Sequence, residues 1–147
     1  MNSLKNNLFK ISDSSEGNFV DRYFPNWIIP YLRLSRADRP TGTWLLLLPC
    51  WFGILLAYNE KNTSISFYDI WLLVACGLGA FLMRGAGCTW NDILDKKYDA
   101  RVERTKNRPI PSGQVTILKA FIWMAVQSLL AFLILLTFNN LSIFIAC

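Results

Sequence analysis

The fold this sequence predicts is all-α: a polytopic transmembrane helix bundle. Three observations lead there. Apolar residues make up 53% of the chain and come in long blocks, with a mean hydropathy of +0.30, which suits a membrane-spanning protein better than a soluble domain. No charge appears between Arg39 and Glu60, and none from Ala120 to the C-terminus. Lys and Arg crowd the segments flanking alternate blocks, the pattern left by retention of positive charge on one side of a bilayer.

Each element follows in order. Residues 1–23 are polar, rich in Asn, Ser and Lys, and are expected to be a disordered tail. No apolar core follows a short basic start, so this is no signal peptide, and Asp13, Glu16 and Asp21 weaken a mitochondrial transit reading. Residues 24–40 mix Trp27, Tyr31 and aliphatics with Pro25 and Pro30 and suit an interfacial segment. Residues 41–147 form the membrane part, with spans expected over about 41–58, 70–89 and 117–138. The second holds one charge, Arg84. Asn139-Asn140 is expected to break the third run, leaving 141–147 as a partial fourth span. That piece is too short for a hydrocarbon core of ~30 Å, so the sequence is expected to be a fragment of a larger bundle.

Six Lys and Arg precede the first span, one (Lys61) lies in the loop after it, and six lie in residues 91–116. The N-terminus and the loop after the second span are therefore expected on the cytoplasmic side. The net charge of +5 sits beside apolar spans, which makes nucleic acid a poor partner and the lipid bilayer a good one. Histidine is absent, which excludes a His-based triad or metal site. Cys50, Cys76, Cys88 and Cys147 form no CxxC pair and read as small buried hydrophobes.

The chemistry concentrates in Asn91-Asp92-Ile93-Leu94-Asp95-Lys96-Lys97-Tyr98-Asp99, directly after the second span. Acids this close repel one another unless a cation sits among them, and carboxylate and carboxamide oxygens are the ligands Mg²⁺ prefers. On a helix continuing out of the span, Asn91, Asp95 and Asp99 share one stripe at i, i+4 spacing, with Asp92 at its edge. Next comes Arg104-Thr105-Lys106-Asn107-Arg108-Pro109-Ile110-Pro111-Ser112-Gly113. Lys106 and Arg108 suit phosphate oxygens; a loop that merely anchors topology fits the composition equally well. In Arg36-Ala37-Asp38-Arg39-Pro40-Thr41-Gly42, Asp38 and the two arginines either anchor the interface, pair with the acidic loop or bind an anionic substrate. Arg84 either snorkels to the headgroups or faces a cavity as a cation for the acids, a carboxylate or a phosphate.

The strings LRLSRADRPTGTWLLLLPCWFG and FLMRGAGCTWNDILDKKYDARVERTKNRPIPSG resemble the UbiA-type membrane prenyltransferases, over roughly residues 31–147, and favour the 4-hydroxybenzoate branch of that family. The resemblance implies a bundle of about nine helices aligned here with its N-terminal half. It implies transfer of a polyprenyl group from polyprenyl diphosphate to the ring of 4-hydroxybenzoate, ortho to the hydroxyl, in ubiquinone biosynthesis, in a membrane such as the bacterial inner membrane. It makes Asn91, Asp92, Asp95 and Asp99 the first acidic motif holding Mg²⁺–diphosphate, with Asp92, Asp95 and Asp99 catalytic. Lys106 and Arg108 would bind the diphosphate; charge and place alone, not the resemblance, assign the substrate carboxylate to Arg36 or Arg84. The sequence departs from the family in having no aspartate after Asp99; Glu103 is the only later acid. A second Asp-rich motif is thus expected from a missing C-terminal half, in the same or a separate chain, without which these residues are expected to be inactive. The competing readings are a non-catalytic helical membrane fragment or subunit, and an enzyme like the CDP-alcohol phosphotransferases, whose motif Asp99-Ala100-Arg101 matches only faintly.

Overall fold

The computed structural model describes residues 19–61 and 65–146. Among the described residues every regular element is a helix: α1 (Phe19–Tyr23), α2 (Ile29–Leu34), α3 (Thr41–Lys61), α4 (Phe67–Leu94), α5 (Lys96–Asp99), α6 (Ile117–Leu135) and α7 (Asn140–Ala146). Three of them, α3, α4 and α6, are long and apolar enough to cross a membrane.

The helix limits follow from local chemistry. Pro40 closes the start of α3, its carbonyl accepting from the Thr43 and Trp44 amides at 2.8 and 3.1 Å. Pro49 lies inside this helix, as spanning helices tolerate. At 21 residues α3 is ~32 Å long and runs past the expected limit near 58. The helix α4 has 28 residues, against an expected 70–89. It begins earlier because Ser66 and Asp69 cap it reciprocally. The Asp69 carboxylate accepts from the Ser66 amide at 2.8 Å, and the Ser66 hydroxyl accepts from the Tyr68 amide at 3.4 Å. It ends later, so Asn91 and Asp92 are helical. Thr116 caps α6 through the Lys119 amide at 3.3 Å. That helix stops at Leu135 rather than near 138. Asn139, expected only as a breaker, caps α7 by accepting from the Ser142 amide at 2.8 Å.

The described residues divide into two compact units. One unit holds residues 19–38 and Gly85–Met124. Its core is Leu34, Ile110, Val115 and Ala120, with Tyr31 and Ile93 packed against it. The Trp123 indole donates to the Ser35 hydroxyl at 2.8 Å, and its ring meets Tyr31 at 5.4 Å. A second cluster joins Val20, Ile29 and Ala37. The expectation of a disordered tail reaching residue 23 is corrected at its end, because Phe19–Tyr23 is helical with Val20 fully buried. Burial of that one apolar side chain and an Asp21–Arg33 ion pair of 2.8 Å hold it. Residues 1–18 lie outside the described residues. Within the segment expected to be interfacial, Trp27 stays exposed while Leu34 is in the core.

The core assignment carries a prediction. Ile110 is 2% exposed, and Ile110→Ala is expected to cost about 2–4 kcal/mol through the cavity it leaves. A lowered thermal midpoint in detergent would report it; an unchanged midpoint would remove Ile110 from the core.

The other unit holds Arg39–Arg84 and residues 125–146. Here the Trp51 indole donates to the Leu73 carbonyl at 3.0 Å, and the Trp71 indole to the Thr137 hydroxyl at 2.9 Å. Leu47 packs over Gly77 of α4, where a Cβ would lie 4.0 Å from the leucine, an ordinary van der Waals distance. Large apolar side chains point outward: Leu45 is 71% and Leu56 69% exposed. Faces this apolar suit contact with lipid or with further helices. Cys50 is exposed on α3 rather than buried, and Cys76 is half-buried; both are free, as is Cys88 in the first unit. Cys147 lies outside the described residues.

Candidate functional site

The polar site lies within the first unit, where the end of α4, α5 and the loop after it meet the turn following α2. Asp92 is 3% exposed, one turn after Thr89, whose hydroxyl folds back onto the Gly85 carbonyl at 2.8 Å. The helix stops at Leu94. Asp95 sits in a turn (φ −83°, ψ 1°), and the chain restarts as the single turn α5. This corrects the expectation of one unbroken helical stripe through Asn91, Asp95 and Asp99. Asp99, seven residues or about two turns after Asp92, faces inward with it and is 8% exposed, while Asn91 and Asp95 stay exposed.

Arg108 is the residue that joins the acids. Its Nη1 donates to Asp99 Oδ2 at 2.9 Å and to Asp92 Oδ1 at 3.3 Å. The same Asp92 Oδ1 accepts from Arg36 Nη2 at 2.9 Å. Two carboxylates and two guanidinium groups thus form a quartet of balanced formal charge. Removing any one member leaves an uncompensated, poorly solvated ion. Asp92 Oδ2 is buried with no hydrogen-bond partner among the described residues.

Both arginines are held by the backbone around them. The Arg108 carbonyl accepts from the Ser112 hydroxyl at 2.6 Å. The Val115 amide donates to the Pro109 carbonyl at 2.9 Å, and Pro109 and Ile110 are buried. Gly113 closes this turn at φ +78°, a conformation that a side chain disfavours. Thr105 is buried and ties the loop to α5 by donating to the Asp99 carbonyl at 3.0 Å. Arg36 follows the C-terminus of α2 in a Schellman motif. The Ala37 amide donates to the Leu32 carbonyl at 3.0 Å, the Arg36 amide to the Arg33 carbonyl at 3.1 Å, and Ala37 packs with Leu32. In that motif the position of Arg36 takes the left-handed conformation, and its φ is +53°. Glycine is the usual residue there, so nothing in the sequence announces the turn.

The other expected residues fall elsewhere. Lys106 pairs with Glu103 at 2.6 Å, both well exposed, and stays out of the quartet. Arg84 belongs to the second unit, where its guanidinium lies against Gly42. Thr105 was not expected, and no spacing rule marks it. Among the described residues no three His, Cys, Asp or Glu side chains converge as metal ligands. A hard cation can still be held here. Mg²⁺ commonly takes one or two protein carboxylates plus water and phosphate, and the open Asp92 Oδ2, the neighbouring Asp99 and the exposed oxygens of Asn91 and Asp95 are donors of that kind.

Long apolar helices carrying a buried acid–arginine quartet at the end of a span define a polytopic membrane protein with a polar, anion- and cation-ready site. The UbiA prenyltransferase family profile matches residues 46–147. The chain is 47% identical over 119 residues to 4-hydroxybenzoate polyprenyltransferase, mitochondrial, of Rattus norvegicus, covering 81% of this chain and 31% of that protein. It is 47% identical over 117 residues to the protein of the same name from Dictyostelium discoideum (80% of this chain, 24% of that protein). It is 43% identical over 127 residues to that of Arabidopsis thaliana (86% and 30%). The chain belongs to the UbiA prenyltransferase family. It spans about a quarter to a third of the length of these relatives. No solved structure matches it.

Proposed function

We propose that this chain is part of a 4-hydroxybenzoate polyprenyltransferase, and that the quartet of Asp92, Asp99, Arg36 and Arg108 belongs to its diphosphate site. The observation that carries the reading is Arg108 bridging two aspartates 2.9 and 3.3 Å away while Asp92 keeps a buried oxygen open. Relatives near 45% identity carry that enzyme's name. In the reaction the allylic C–O bond of a polyprenyl diphosphate breaks, and the diphosphate leaves with the bonding pair. The prenyl carbon then bonds the ring carbon ortho to the hydroxyl, and that carbon loses its proton.

Asp92 and Asp99, with Asn91 and Asp95 at the exposed edge, would hold Mg²⁺, which when bound supplies charge neutralisation to the leaving diphosphate. Arg108 and Arg36 are pre-positioned cations within reach of the same oxygens. A guanidinium already held by buried carboxylates needs little reorganisation as negative charge builds on the leaving group. Lys106 lies on the same loop, and its exposed pair with Glu103 is weak enough to yield to a diphosphate. Catalytic work falls on Asp92, Asp95 and Asp99. The residues closing the diphosphate site from its other side are proposed to come from polypeptide beyond these 147, in the same or a separate chain.

For localisation, the segment before α3 and the acidic loop are read as lying on one face of the membrane, the positively charged one. The relatives' printed names favour a mitochondrial membrane over the bacterial inner membrane.

The test is transfer of labelled prenyl from polyprenyl diphosphate to 4-hydroxybenzoate in membranes carrying the full-length protein. Chelation with EDTA is expected to abolish product, and added Mg²⁺ to restore it. Undiminished product under chelation would sink the metal assignment, and no product from metal-replete membranes would sink the reading itself.

A further inference from the structure

Cys50 and Cys76 have no part in prenyl transfer, yet the fold sets them together. Both thiols are free; Cys50 is exposed and Cys76 half-buried. They lie in one unit, on the spanning helices α3 and α4. Two contacts fix the antiparallel register of these helices. Leu47 packs over Gly77, and the Trp51 indole donates to the Leu73 carbonyl at 3.0 Å. Cys50 and Cys76 fall between those contacts, and their thiols are hydrogen-bonded to each other. The Cys50 thiol donates to the Leu46 carbonyl at 3.4 Å. Its own hydrogen is thus engaged, so its sulfur is the acceptor and the Cys76 thiol the donor. Each cysteine is the tenth residue of its helix, about 14 Å from the helix start and deep in a hydrocarbon core.

We propose that Cys50 and Cys76 form a redox-active dithiol that reduces a hydroperoxide inside the bilayer and closes to a disulfide between α3 and α4. The proposal stands independently of prenyl transfer. The Cys50 sulfur attacks the terminal oxygen of the hydroperoxide. The O–O bond breaks, the remainder leaves as an alcohol (water, from hydrogen peroxide) carrying the Cys50 proton, and Cys50 becomes a sulfenic acid. The Cys76 sulfur then attacks the Cys50 sulfur. The S–O bond breaks, and the hydroxyl leaves as water with the Cys76 proton. The two thiols give up two electrons and two protons in all.

Three points carry the assignment. Every stable species on this path is neutral, as a hydrocarbon setting demands, whereas a monovalent soft cation held by two thiolates leaves a net charge there. Cys50 is the exposed thiol, so it meets the peroxide first. A hydrogen bond donated to its sulfur steadies the negative charge that develops as its proton leaves, and the donor is the thiol placed to resolve the sulfenic acid.

The test exposes the full-length protein in liposomes to cumene hydroperoxide or hydrogen peroxide, then alkylates and digests it without reduction. Mass spectrometry is expected to find the Cys50 and Cys76 peptides joined, two hydrogens lighter than their sum, and separated by dithiothreitol. Linkage with either reagent upholds the dithiol, and the faster reagent tells whether the peroxide comes from lipid or water. In Cys76→Ala, dimedone is expected to label Cys50; in Cys50→Ala, Cys76 should stay unlabelled. The reverse labelling would overturn the roles given to the two sulfurs. Two thiols still alkylated after both peroxides would overturn the proposal itself. So would a linkage equally abundant in protein unfolded with SDS, since proximity in the fold would then not be its cause. The wild-type mass map decides without the variants if either fails to fold.

Discussion

Asp92→Asn is expected to lower prenyl transfer by about 10²–10³-fold, the scale seen when one pre-organised electrostatic contact to a reacting group is removed. The substitution keeps the shape of the side chain and an oxygen that can accept from Arg36. It removes the charge. Asp92 is the member of the quartet that both arginines touch, and it carries the buried oxygen left open. Without it, Arg108 keeps only Asp99, Arg36 loses its carboxylate, and a cation loses its most enclosed donor. The measurement is initial rate at saturating donor and acceptor, in membranes adjusted to equal protein content. Wild-type rates from Asp92→Asn would remove the quartet from the mechanism. Asp95→Ala in the same assay is expected to fall mainly in metal affinity, so excess Mg²⁺ should recover part of its rate.

Arg108→Ala is expected to strike stability as well as rate. It removes the partner of Asp99 and one of two partners of Asp92, carboxylates 11% and 5% exposed at the side chain, and breaking a buried pair in this way costs about 3–5 kcal/mol. Arg36 still neutralises Asp92, so the lower end of that range is the better expectation. A second substitution tests the cause. Asp99→Asn added to Arg108→Ala removes the stranded charge, and the double variant should recover part of the thermal midpoint lost by the single one. Losses that simply add would show that Arg108 and Asp99 are not coupled. Arg108→Lys should keep more stability than rate, because an ammonium can neutralise charge but lacks the fork that reaches two aspartates together.

The span positions were legible because they depend on stretches without charge, and Arg39, Glu60 and Ala120 bracket those stretches in the sequence. Their ends were less so. The early start of α4 comes from Ser66 and Asp69 capping each other, a local signal that is easily passed over beside so much apolar sequence. The acidic motif was legible as residue types, since aspartates directly after a span stand out. Its geometry was not. The i,i+4 stripe of Asn91, Asp95 and Asp99 is the visible pattern, whereas the buried pair is Asp92 and Asp99 at i,i+7, chosen by Arg108 arriving from nine residues on. Lys106 and Arg108 look alike in sequence, both basic and two positions apart. Only the packing of Ile110 and the turn closed by Gly113 separate an arginine in the site from a lysine outside it. Pairing of Arg36 with the acidic loop was one of the readings its charge allowed, and it meets Asp92 there; the left-handed turn that aims it was not legible, because that position normally carries glycine.

That turn makes residue 36 a place where selection for sturdiness and selection for activity pull in opposite directions. Glycine there would relieve a backbone strain of about 1–2 kcal/mol, and a search for thermostable variants would find it attractive. The same change would strip a guanidinium from Asp92. Consensus or stability-guided engineering of this protein should therefore leave position 36 untouched, since the strained residue is the one that carries the charge.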